Sequence, residues 1–171
     1  MKEVILSLAK YNRGANLNLI ETLEKAGAET ATRETGTYYK NVLGTIQHCF
    51  WYEFSWLKRY KVLGDYPALR APLLGEEVDA LKAKVGEDFA KLSSLMKEID
   101  SVYVSFIGEV KLEDLQRPIK FKNFKGEEQE RIVWQTVFHV LNHYTHHRGE
   151  ISGALDRMGI GNDFAGFFRY L

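Results

Sequence analysis

The sequence predicts an all-α fold, a bundle of four long amphipathic helices, on three observations. Apolar residues recur at steps of three and four through four long stretches, the spacing that lines one face of a helix. Two of the three prolines fall in one connecting segment, LGDYPALRAPLLG at 63–75. One stretch alternates instead: PIKFKNFKGEEQE at 118–130 sets Ile119, Phe121 and then Phe124 around a Gly126 turn, as a small hairpin would.

In chain order, the first helix covers 3–26, with Val4, Leu8 and Tyr11 and then Leu17, Ile20 and Leu23 on its apolar face. Gly14 separates the two groups, at a cost of about 1 kcal/mol relative to alanine. Thr30, Thr32, Thr35, Gly36 and Thr37 make a helix-poor connection. The second helix spans 39–62 on the stripe Val42, Leu43, Ile46, Phe50, Phe54 and Leu57. The third spans 76–104, opened by Glu76, Glu77 and Asp79, where a helix dipole favours negative charge. Its stripe is Val78, Leu81, Val85, Phe89, Leu92, Leu95, Met96 and Ile99. Residues 105–128 interrupt the helical pattern and include the hairpin. The fourth helix runs over 129–158 and ends at Met158-Gly159, with glycine just past the end. Asn162-Asp163 is expected to cap a last short helix ending at Leu171.

A chain of 171 residues suits one domain, 1–171, large enough for a substantial core. Lys+Arg and Asp+Glu both number 23, so no net basic surface points to nucleic acid. Cys49 is the single cysteine, which excludes an internal disulfide and agrees with a reducing cytoplasm. No segment approaches the roughly 18 consecutive apolar residues of a membrane span. Cys49 and the tryptophans Trp51, Trp56 and Trp134 read as core or interface residues, and KFKNFK at 120–125 reads as a solvated hairpin edge.

The chemistry concentrates in HVLNHYTHHRG at 139–149, which holds four of the five histidines. His139, His143 and His147 follow one another at four-residue steps, each turned about 40° from the last. An i,i+4 pair has Cβ atoms roughly 6 Å apart, so two imidazoles can reach one ion. The outer two, about 12 Å apart along the axis, cannot easily share it. His143 and His147 border the stripe Val133, Val137, Val140, Leu141, Tyr144, Ile151 and Leu155, and are the preferred pair. Glu150, three residues beyond His147, is placed to orient its imidazole, to act as a general base, or merely to be its i,i+3 neighbour. HYTHH lacks the glutamate of the zinc-protease signature, so that chemistry does not follow. Catalytic zinc takes about three protein ligands. The remaining imidazole for such a set is His48, which helical periodicity places nearly opposite Leu43, Ile46, Phe50 and Leu57; periodicity does not settle its role.

TIQHCFWYEFSWLKRY at 45–60 resembles the "TLxH…WxxxxWLxR" helix of the DinB/YfiT-like family, through Thr45, His48, Trp51, Trp56, Leu57 and Arg59. HVLNHYTHHRGE at 139–150 resembles that family's "HxxNHxxHHRGQ" helix. YNRGANLNL at 11–19 is similar to its opening "YNxWANxxL", and NDFAGFFRYL to its closing "D…YL" element. The resemblance implies an up-down-down-up four-helix bundle, commonly a homodimer, with a divalent metal ion held by three histidines. The metal is usually zinc or nickel, and the implied ligands here are His48, His143 and His147. Two residues depart from the family pattern. Glu150 stands where glutamine is usual, and Gly14 where an aromatic is usual.

The resemblance further implies a metal-dependent enzyme acting on small molecules, a thiol S-transferase or a hydrolase. Glu150 and Glu53 are then the candidate proton handlers and Arg148 a candidate substrate anion contact, although surface ion pairing is the plainer reading of Glu53 and Arg148. The partners would be a small thiol or electrophile, with no nucleic acid and no membrane. The alternative is a non-catalytic metal-binding stress-response protein whose ion stabilises the bundle.

Overall fold

The computed structural model describes residues 1–123 and 125–170. Phe124, expected beside the hairpin turn, and Leu171, the expected end of the last helix, lie outside the described residues. In chain order the elements are α1 (Lys2–Ala26), α2 (Ala28–Thr32), α3 (Val42–Tyr60), α4 (Val78–Val85), α5 (Phe89–Glu109), α6 (Leu112–Leu115), β1 (Pro118–Lys122), β2 (Glu128–Ile132) and α7 (Val133–Arg157). The long helices α1, α3, α5 and α7 pack on one another around one apolar core.

Contacts along their lengths give the relative directions. Lys2 Nζ donates to Gly108 O at one end of α1, and Lys97 meets Glu24 near the other, so α1 and α5 run antiparallel. His48 meets His143 while Tyr60 meets Thr136, so α3 and α7 are antiparallel too. Tyr60 stacks on Phe106, whereas Ile46 and Cys49 face Met96, so α3 and α5 run the same way.

Local chemistry explains the boundaries. Asn41 Oδ1 accepts from Gly44 N at 2.8 Å and starts α3; Asp88 Oδ1 accepts from Lys91 N at 3.0 Å and starts α5. The helix expected over 76–104 is two helices, because Gly86 at φ 53° ends α4 before Asp88 begins α5. α5 continues to Glu109, since buried Phe106 and Ile107 extend its stripe past the expected end. The threonine-rich connection contains a helical turn, α2, and an isolated bridge between Glu34 and Asn41.

The hairpin forms with Pro118 opposite Ile132 and Lys122 opposite Glu128. It claims residues that the helical pattern had given to the start of α7, so α7 begins at Val133. Ile119 faces the core, and the exposed Lys120 pairs with Glu130 across the strands at 3.7 Å. At the far end, Gly159 at φ 75° turns the chain away from α7. Asn162 does not cap a helix. Its side chain accepts from Ser152 Oγ and donates to Asp156 Oδ1, tying the chain back to α7, and only a 3-10 turn follows at Phe167–Tyr170.

Gly14 has a direct steric reason. The Tyr170 ring lies where a Cβ would stand, 2.4 Å from its nearest carbon. Tyr170 packs on α1 there and its hydroxyl accepts from Asn18 Nδ2 at 3.0 Å.

Candidate metal centre

α3 and α7 each carry part of one histidine cluster. His143 and His147 are one turn apart on α7, and the antiparallel α3 brings His48 against both. The Nε2 atom of His143 is 2.8 Å from Nε2 of His48 and 3.1 Å from Nε2 of His147. His48 and His143 are half-buried and His147 is buried. Ligand nitrogens about 2.0–2.1 Å from a tetrahedral zinc lie about 3.3 Å apart, close to the spacing found.

The protonation states suit a cation. Burial, and then the neighbouring His147, lower the His48 imidazole to about 4. Burial and the surrounding histidines lower His143 to about 3. Both rings are therefore neutral near pH 7, the form that ligates metal. His147 Nδ1 lies 2.6 Å from Glu150 Oε2, so a neutral His147 donates from Nδ1 and keeps its Nε2 lone pair directed at the other two rings. His143 Nδ1 is buried with no hydrogen-bond partner among the described residues. Ring nitrogens this close share either a proton, as N–H···N hydrogen bonds, or a cation that accepts all three lone pairs. The donor set therefore fits a divalent metal.

Two tyrosines hold the rings in place. Tyr39 stacks on His48 with centroids 4.3 Å apart, and Tyr52 stacks on His143 at 4.4 Å. Tyr39 reaches its ring through a close approach that only glycine permits: a Cβ on Gly44 would lie 2.4 Å from the Tyr39 carbonyl oxygen. Lys40, next in the chain, adopts φ 69°, a left-handed conformation uncommon for a non-glycine residue. A second group with ligating reach, His146, His147 and Glu150, is more open; the His146 side chain is 64% exposed and already lies 3.4 Å from Glu150 Oε1. His139 is exposed and packs beside Tyr52.

The other candidates are placed differently. Glu53 is fully buried, not a surface residue, and accepts a 2.7 Å hydrogen bond from the Tyr144 hydroxyl. Burial, with the nearby Asp100 carboxylate adding to it, pushes Glu53 well above the ordinary carboxylate range. Arg148 is also buried, its Nη1 donating to Asn12 Oδ1 and Asn16 Oδ1 while its guanidinium lies over Tyr11. Asn16 Nδ2 donates in turn to Asp100 at 3.1 Å. Cys49 is buried, and burial pushes its thiol far above the usual range, away from the thiolate a metal would need.

A sequence model of the DinB family matches residues 1–165. The chain belongs to the DinB family. Protein DinB of Bacillus subtilis (strain 168) is 25% identical over 173 residues, covering 100% of this chain and 95% of that protein. No solved structure matches at a significant level. Among the described residues, no helix is long and apolar enough to cross a membrane.

Sequence reasoning on this DinB-family chain had named the three histidines and Glu150 but missed Tyr39, Asn12, Asn16 and Asp100. Asn12 and Asn16 carried a usable signal, an i,i+4 asparagine pair on the same helix. Tyr39 carried none, since its position depends on how the connection folds back over α3.

Proposed function

We propose that the protein is a divalent-metal-dependent enzyme acting on small molecules, a thiol S-transferase or hydrolase, with zinc or nickel held by His48, His143 and His147. The observation that carries this reading is the convergence of three Nε2 atoms from two helices, with neighbours at 2.8 and 3.1 Å. When bound, the ion supplies positive charge that acidifies a thiol or water and stabilises developing anionic charge.

The chain's own groups do the rest. Glu150 fixes the His147 tautomer through Oε2, and its side chain, 37% exposed, is open to exchange a proton with a substrate or solvent. Tyr39 and Tyr52 limit the motion of the His48 and His143 rings. In this reading Glu53 and Arg148, both sealed inside, act on the framework: Glu53 holds Tyr144, and Arg148 ties α7 to α1.

The test is metal content by elemental mass spectrometry on untagged protein beside the His48→Ala variant. We expect about one zinc or nickel per chain in the wild type and its loss in the variant. Turnover of an electrophile with a thiol, or of an activated ester, should be lost in parallel. A wild-type protein that binds no metal after reconstitution overturns the reading. A second reading, an ion that only staples the bundle, is favoured by its ligands coming from two helices; metal-loaded protein with no turnover of either substrate class would support it.

A further inference from the structure

We infer that the cleft beside the histidine centre binds a small molecule with a flat apolar body and one anionic group. The inference rests on the metal-enzyme reading for what reacts at the histidines, and on the cleft alone for what binds.

The cleft has a volume of about 440 Å³ and lies between α3, the hairpin and α7. Tyr52, Trp56 and Phe121 supply aromatic surface, with Trp56 and Phe121 packed edge-to-face at 4.8 Å. Tyr52 also belongs to the histidine centre, because its ring stacks on His143. His139 lines the same cleft, so a ligand lying along Tyr52 sits next to the ligating rings.

The charge around this cleft is one-sided. Arg131 lines it, and Arg59 lies over both Trp56 and Phe121 at 5.0 and 5.7 Å. Among the described residues neither guanidinium pairs with a carboxylate. Arg131 donates to the Glu130 carbonyl oxygen and to Gln129 Oε1, both neutral acceptors. No lining residue is acidic. One positive charge in the lining, Arg131, and a second against its aromatic rings, Arg59, neither with a counter-charge among the described residues, suit a carboxylate, sulfonate or phosphate attached to a planar ring. A ring of that kind gains from the aromatic surface and a cationic neighbour as well.

The probe pair is 2-naphthoate and 2-naphthamide, which share the ring and differ in charge. Binding is measured by isothermal titration calorimetry on metal-free protein, so that no ion can hold the carboxylate. We expect naphthoate to bind about tenfold more tightly than the amide, in line with one charge-assisted contact. Arg131→Gln and Arg59→Gln should each reduce that ratio, and the double variant should bring it close to one. Phe121→Ala should weaken both ligands alike. Equal binding of the two ligands, or a preference that survives loss of both arginines, overturns the inference. So does a preference present only in metal-loaded protein, since the anion would then belong to the ion. His48→Ala separates the two readings: a variant that loses metal but keeps the naphthoate preference leaves the cleft standing whatever becomes of catalysis.

Discussion

His48 and His143 are held neutral by burial, while Glu53 and Asp100 are driven towards the protonated form, Asp100 to about 7, by burial. These shifts act on stability with opposite signs. A histidine with a lowered folded pKa binds protons more readily when unfolded, so stability is lost as pH falls below about 6.5. A carboxylate with a raised folded pKa binds its proton more readily when folded, so stability is lost as pH rises above about 4. In metal-free protein the two slopes oppose each other between about pH 4 and 6.5. Glu53→Gln, which mimics the protonated acid, should flatten the loss of stability on raising pH above about 4, with Asp100 keeping part of it. His48→Ala should flatten the loss on lowering pH below about 6.5, with His143 keeping part of it. Urea denaturation at a series of pH values checks both, and parallel curves in wild type and variants would contradict the assignment. At the same scale, Glu150→Ala removes the acceptor on His147 Nδ1 and should weaken metal binding about 10–100-fold, with Glu150→Gln retaining most of the affinity. Competition with a chromophoric chelator measures it.

Among the elements, α3 and α7 were the most legible from the chain. Every residue of the expected stripes on both, from Val42 to Leu57 and from Val133 to Leu155, is buried. On α1 the expected face is the buried one only in part: Tyr11, Ile20 and Leu23 are buried, but Val4 is 62% exposed, and Ile5, Ala9, Asn12, Asn16 and Leu19 also point inward. The reason is physical. Polarity patterns assign asparagine to solvent, but Asn12 and Asn16 are satisfied inside by Arg148 and Asp100. The turn before α3 was illegible for a different reason, since the Tyr39 approach is a steric fit between distant backbone atoms. Gly44→Ala tests that fit. The methyl group must displace the Tyr39 carbonyl, at about 1–3 kcal/mol, and loosen the ring over His48. Thermal unfolding should show the loss, and metal affinity should fall although no ligand has been touched.

For the whole molecule, the helical class and the two histidines on α7 could be read directly, whereas His48 could not. Helical periodicity sends it outward, and it is outward with respect to the apolar core. What covers it is α7 and Tyr39, a relation between elements that no single-helix pattern contains. An ion at this position would join two antiparallel helices whose ligands are 95 residues apart in the chain. Zinc at about 100 times its dissociation constant should therefore stabilise the fold by about 2.7 kcal/mol. Calorimetry with and without a chelator measures this, and an unchanged midpoint would count against a site on both helices.

The interior contact between Arg148 and the two asparagines has a consequence for biosynthesis. Its hydrogen bonds span 136 and 132 positions of the chain. A polypeptide leaving the ribosome exposes Asn12 and Asn16 well over a hundred residues before the guanidinium that completes them. Until then α1 has an inward face with unmet amides, and the growing chain cannot close its interior. Final assembly of this bundle therefore waits for α7.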